Sequence, residues 1–310
     1  MTVVESAPDL QGGPWCAQSA QDRGESLVAT ASRVERWLLV EHDGAWGPQS
    51  VPSSRMPVRA AKALGVAAAA GGARLLMVRR PRVAQRPGET GRWVFAVDSR
   101  TGRERVLARH VDTDAELLAL DVPYDDPTDD PTDGWQVHPD PLYLVCTHGR
   151  HDRCCATRGR PVATALAATY GDQVWECSHI GGERFAANMV VLPEGHYLGW
   201  VEPQEVTDII DALVDGELPT RHLRGRSSMS SPVQAAQAFA RSELGRTRVD
   251  DLALESQESA GRDAWRVRLS GGVEVVVRYD RAGDVGRQLL TCDADEAKTS
   301  PVFRLESLTS

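Results

Sequence analysis

Five residues in one short stretch carry the chemistry this sequence can do. Cys146, Cys154, Cys155, Cys177 and His179 lie within positions 146–179, and they include four of the six cysteines in the chain. Thiolates are soft ligands suited to iron–sulfur clusters or zinc, and imidazole serves alongside them in either setting. A lone cysteine is ordinarily a small core residue. Four of them with a histidine, all at expected loop positions, are better explained jointly by a metal. A dithiol enzyme fits less well, because there is no C-x-x-C motif and the adjacent Cys154 and Cys155 could bridge only with strain. Spacing alone leaves zinc and iron–sulfur both open.

The surrounding pattern shows how these residues could meet. Leu142–Val145 reads as a strand, Pro161–Tyr170 as a helix and Gln173–Glu176 as a second strand. In such a βαβ unit both loops leave the carboxyl edge of the parallel strands, so residues distant in sequence converge there. A hairpin of Met189–Leu192 and Tyr197–Trp200 follows. Val206, Ile209, Ile210 and Leu213 then mark one face of a closing helix.

The preceding segment has the same order. Trp37–Val40 reads as a strand, Ala60–Ala70 as a helix closed by Gly71-Gly72, and Leu75–Val78, Trp93–Val97 and Arg105–Ala108 as three more strands. The fold class expected is α/β: two tandem βαβββα units with a small C-terminal α+β extension. The expected divisions are a polar start (1–30), a unit without a metal (31–122), an acidic Pro-rich linker (123–138), the cysteine-bearing unit (139–226) and the C-terminal part (227–310). That last part should hold a helix over Pro232–Leu244 and a hairpin of Trp265–Leu269 with Val273–Tyr279.

Composition limits the partners. A net charge of −9 argues against broad nucleic-acid binding, which needs basic patches. No apolar run is long enough for a membrane span, and no signal peptide is expected at the start, so a cytoplasmic location is the default expectation. Thiols there stay reduced, which favours metal or redox chemistry over structural disulfides. No G-x-G-x-x-G follows a strand, so no NAD or flavin of its own is expected.

Two segments resemble a known family. Cys-Thr-His-Gly-Arg-His-Asp-Arg-Cys-Cys-Ala-Thr-Arg-Gly-Arg-Pro (146–161) and Cys-Ser-His-Ile-Gly-Gly-Glu-Arg-Phe-Ala-Ala-Asn-Met-Val-Val-Leu-Pro (177–193) are similar to the sucrase/ferredoxin-like family. The Trp-Leu-Leu-Val-Glu-His and Ala-Trp-Gly segments near 37–47 resemble its amino-terminal part. The resemblance implies a thioredoxin-like ferredoxin with a [2Fe–2S] cluster. No carboxylate pair supports the "sucrase" of the name.

Carried over residue by residue, the resemblance makes Cys146 and Cys155 ligands, and His179 fits the first position of an H-x-x-x-H ligand pair. The second position falls on Glu183, a hard ligand poorly matched to such a cluster. Cys177 is the preferred fourth ligand, with Glu183 and Cys154 as the alternatives; Cys16 and Cys292 read as ordinary thiols. The implied function is a one-electron carrier or reductase component working with a redox partner protein. A histidine ligand would allow electron uptake to be coupled to a proton. The alternative is a zinc- or cluster-stabilised structural or sensing module.

Overall fold

A computed structural model of the chain describes residues 15–125, 134–283 and 286–310. Most of the acidic Asp/Pro run, and residues 1–14 of the polar start, lie outside the described residues. After a short helix α1 (Cys16–Asp22) the chain runs β1 (Arg36–Glu41), α2 (Val58–Ala70), β2 (Ala73–Arg79), β3 (Arg92–Asp98), β4 (Arg105–Val111) and α3 (Asp114–Leu118). It continues through β5 (Gln136–His138), β6 (Leu142–Cys146), α4 (Arg153–Tyr170), β7 (Val174–Cys177), β8 (Met189–Leu192), β9 (His196–Leu198) and α5 (Val206–Val214). Then come β10 (Leu223–Arg226), α6 (Ser231–Leu244), β11 (Leu254–Gly261), β12 (Ala264–Leu269), β13 (Val273–Asp280), the short pair β14 (Arg287–Gln288) and β15 (Lys298–Thr299), and β16 (Val302–Thr309).

The architecture is mixed α/β. Ten strands form one curled sheet in the order β10-β9-β8-β6-β7-β2-β1-β3-β4-β5. Within it, β1–β2 and β6–β7 are parallel pairs, and β2 meets β7 antiparallel through Val78↔Cys177 and Arg79↔Glu176. One sheet therefore runs through both segments read from the sequence as separate units.

Strand alternation sorts the core into layers. Leu38 and Val40 face α2 and α3 with Met77, Val94 and Leu107. Tyr143 and Val145 face α4 and α5 with Val162, Leu166 and Ile210. The opposite faces of both halves merge in the concavity of the sheet, where Trp37, Leu39, Phe95, Leu144, Trp175 and Tyr197 pack with Cys146, Cys155 and Cys177. The last part is a four-stranded sheet, β11-β12-β13-β16, with α6 against one face.

The largest departure from the sequence reading is α4. It begins at Arg153, not Pro161, and Pro161 lies inside it. Asp152 caps the helix, its side chain accepting a hydrogen bond from the Cys154 N–H at 2.8 Å. That cap outweighs the usual preference of proline for a first turn. Cys154 and Cys155 are consequently in the first turn of the helix and not in the loop before it. Strands β10, β11 and β16 had no clear sequence signal; β11 and β16 are mostly exposed and lack an apolar alternation.

Candidate metal centre

Cys146 ends β6 and Cys177 ends β7, and the two are register partners across a parallel pair. The ladder continues past them: the Cys146 N–H bonds to Asn188 O at 2.9 Å and the Thr147 N–H to Cys177 O at 3.1 Å. Cys155 approaches from the first turn of α4, where helix dipoles favour a thiolate. Gly159 makes that approach possible, because a Cβ there would lie 2.1 Å from the Cys146 carbonyl oxygen.

The ligand atoms of Cys146, Cys155 and His179 lie within 4.8 Å of one another. Hydrogen bonds from the Cys155 and Cys177 thiols hold the Cys146 thiol well below its ordinary value, with His179 adding to the effect. The Cys155 thiol is raised in turn by its bond to Cys146, and Cys177 by burial and then by Cys146. Cys146, Cys155 and Cys177 are all buried, while His179 is partly exposed. The histidine is thus the side of the site that faces solvent.

The two ring nitrogens of His179 differ. Nδ1 is buried and has no hydrogen-bond partner. Nε2 lies 3.3 Å from Glu183 Oε1, and the same oxygen is 3.0 Å from His151 Nε2. The rings of His151 and His179 stack with centroids 3.8 Å apart. Burial acts to raise the Glu183 carboxyl, but the bond to His151 and the neighbouring His179 outweigh it and hold the carboxyl low. Glu183 raises His151 correspondingly. His148 takes a different role: its Nδ1 accepts from the His179 N–H at 3.2 Å while its Nε2 donates to Gly47 O at 2.8 Å. Burial lowers its pKa, consistent with that neutral tautomer.

The first half of the sheet helps to hold the centre. Arg74 on β2 donates to His179 O at 2.9 Å and to Ile180 O at 3.2 Å. The Ser178 N–H bonds to Met77 O at 2.8 Å, so the ligand loop continues along β2. Trp46 stands edge-on to His148 at 5.9 Å. From the other side, the fully buried Arg224 donates to Gly181 O at 2.9 Å and to Asn188 Oδ1 at 2.8 Å. Gly182, at φ +79°, leaves the room its guanidinium occupies. Asn188 closes the loop by donating to Gly182 O at 2.7 Å.

Of the residues singled out in the sequence, Cys146, Cys155 and His179 come together, and Cys177 lies against Cys146. Glu183 accepts from His151 and lies against the His179 ring as a neighbouring charge. Cys154, the alternative ligand, lies against Cys16 and Cys292 and not against Cys146, and those two, read as ordinary thiols, form a group with it. Successive helical residues point about 100° apart, so adjacent cysteines in a first turn cannot share a target. The sequence reading missed Arg224 and Arg74. The spacing His148-x-x-His151 was visible, but its partners come from elsewhere in the chain.

Residues 27–225 match the model of the family described as sucrase/ferredoxin-like, well over half of the chain, and the chain belongs to that family. Among solved structures, two single-cysteine variants of the thioredoxin-like [2Fe–2S] ferredoxin from Aquifex aeolicus are similar to it. Each is 21% identical over 27% of this chain and 97% of that one, with a TM-score of 0.24. No curated protein matches significantly. Among the described residues, no helix is long and apolar enough to cross a membrane.

Proposed function

We propose that this chain is a one-electron carrier holding a [2Fe–2S] cluster on Cys146, Cys155, Cys177 and His179. The observation that carries the reading is the meeting of the Cys146, Cys155 and His179 ligand atoms within 4.8 Å of one another, with the Cys177 thiol also against Cys146 and the His179 Nδ1 buried without a nitrogen or oxygen partner. A buried polar nitrogen without a partner is costly, and a metal bond removes that cost. Membership in the sucrase/ferredoxin-like family supports the same reading. When bound, the cluster supplies one-electron redox chemistry at a potential raised by the neutral imidazole ligand.

The other groups orient and tune. Glu183 lies against His179 Nε2 as the carboxylate of a carboxylate–histidine–metal arrangement, fixing the ring. His179 Nε2 would hold the exchangeable proton of a proton-coupled carrier, with Glu183 and the partly exposed His151 sharing it. That histidine side would face a redox partner protein, and a cytoplasmic location suits six free thiols. The halves β1-α2-β2-β3-β4-α3 and β6-α4-β7-β8-β9-α5 have the same element order and the same strand arrangement, which supports reading them as tandem thioredoxin-like units. The first of these would shield the second.

Anaerobic purification followed by iron and acid-labile sulfide analysis tests the proposal. About two of each per chain, with visible absorption, is expected for this cluster type. Zinc at the Cys146 centre without sulfide would overturn it in favour of a structural zinc module.

A further inference from the structure

A second group of thiols stands apart from this centre. Cys16 from α1, Cys154 from the first turn of α4 and Cys292 from the segment between β14 and β15 converge on Asp152. The sulfurs form a triangle: Cys16–Cys154 3.6 Å, Cys154–Cys292 3.2 Å and Cys292–Cys16 3.5 Å. The Asp152 carboxylate oxygens lie 3.7 and 3.9 Å from the Cys16 sulfur. Two of the ligand residues hold that carboxylate in place: the Cys154 N–H donates to Oδ1 and the Cys292 N–H to Oδ2, both at 2.8 Å. Cys16, Cys154 and Asp152 are buried and Cys292 is partly so.

We propose that Cys16, Cys154, Cys292 and Asp152 form a structural zinc site, separate from the Cys146 centre. Zn–S bonds of about 2.3 Å in a tetrahedron set sulfurs about 3.8 Å apart, close to the triangle seen here. Apolar packing gives no reason for three sulfurs to crowd onto a carboxylate. Three soft thiolates with one harder oxygen are a donor set suited to a borderline-soft ion such as zinc. Four protein ligands leave no open position, so the site is structural and not catalytic. Each thiol gives up its proton as it binds the ion. The Arg153 side chain, which is hydrogen-bonded to Cys292, and the α4 N-terminus offset the negative charge.

The ion would tie together segments that lie 276 positions apart in the chain, Cys16 and Cys292. It would also clamp the first turn of α4, where Cys155 reaches for the other centre. A disulfide is the competing chemistry, but it uses two of the three sulfurs and strands the third beside a buried carboxylate.

The test measures zinc and iron together in the whole protein, purified anaerobically after zinc-supplemented expression, in the wild type and in Cys292→Ser and Cys16→Ser. One zinc per chain in the wild type is expected, with three sulfurs near 2.3 Å and one oxygen near 2.0–2.2 Å in zinc X-ray absorption. Zinc should fall at least tenfold in either variant while iron and the visible spectrum persist. Cys292→Ser is the safer fold, because that side chain is only partly buried; Cys16→Ser checks that the loss is not particular to one position. A wild-type protein without zinc overturns the zinc site and leaves the cluster reading standing. So does a Cys154–Cys292 or Cys16–Cys154 disulfide in anaerobically alkylated and digested protein. Zinc that survives both variants but is lost in Cys146→Ser overturns both readings at once.

Discussion

The two halves of the large sheet share a strand arrangement and differ in what their helices do. In each, a helix follows the first strand and carries a glycine near its middle turns, Gly65 at the eighth position of α2, on its exposed face, and Gly159 at the seventh of α4, on its buried face. A Cβ on Gly65 would meet nothing within 4 Å, whereas one on Gly159 would lie 2.1 Å from the Cys146 carbonyl. The corresponding strand ends are Glu41 and Arg79 in the first half and Cys146 and Cys177 in the second. One scaffold thus serves two purposes. Where α4 is drawn down onto the end of β6, thiols meet. Where α2 lays Ala60, Leu64 and Ala68 on its strands, there is an ordinary apolar layer, and the half contributes Arg74 and the Gly47 carbonyl to its neighbour's loops.

The largest expected effect tests which half binds. Cys146→Ser with Cys155→Ser should abolish iron binding and visible absorption in the purified protein. An unchanged visible spectrum in that double variant would break the comparison, because it would place the cluster away from the Cys146 centre.

The glycine pair gives the next largest contrast. Gly159→Ala should destabilise the protein by about 1–3 kcal/mol through overpacking against the Cys146 backbone. Gly65→Ala should be neutral or stabilising by about 0.5–1 kcal/mol, because it gains helix propensity at an exposed position. Urea unfolding of the two variants measures both, and a Gly159→Ala variant as stable as Gly65→Ala would show that α4 does not press on the Cys146 backbone.

A smaller effect tests the support one half gives the other. Arg74→Ala removes two hydrogen bonds to the backbone of the ligand loop. A loss of about 1–3 kcal/mol is expected, from a charged donor to partly buried acceptors. It should appear as faster iron release to a chelator, with the same spectrum before release. Unchanged release would mean that the first half merely lies alongside.

The last effect is one of pH. His196 on β9 is buried, and burial pushes its pKa down to about 3, with Arg226 and Arg241 adding to the shift. The unfolded chain would bind the proton near 6.5, so between about 3 and 6.5 it holds more protons than the folded one. Stability from this group is therefore present above about 6.5 and declines as pH falls toward 3. Chemical denaturation at pH 7, 5 and 4 should show the decline, and His196→Gln should flatten it. A decline of the same steepness in His196→Gln would assign it to other groups.

Much was legible before any coordinates. Short continuous apolar runs marked β1 through β4, β6 and β8, an Ala-rich run closed by Gly71-Gly72 marked α2, and the 3.6-residue spacing of Val206, Ile209, Ile210 and Leu213 marked α5. The βα-loop rule foretold that Cys146, Cys155, Cys177 and His179 would approach one sheet edge. The start of α4 was misplaced because Pro161 is a strong local signal and the Asp152 cap a weak one. Arg224 was invisible, since nothing in its own neighbourhood shows that its guanidinium will be buried against Gly182 and Asn188.

By itself, then, the sequence determined the strands and helices of the two half-sheets that have continuous apolar runs or helical spacing, and the strand ends that carry Cys146 and Cys177, because those depend on nearby residues. Tertiary structure alone decided which thiol meets which. Cys154 and Cys155 are neighbours in the chain, yet the helical rotation between them sends one to Cys146 and the other to Cys16 and Cys292. Sequence spacing has no term for the direction a side chain takes, or for a partner brought in from 138 residues away. Only the packed fold sets both.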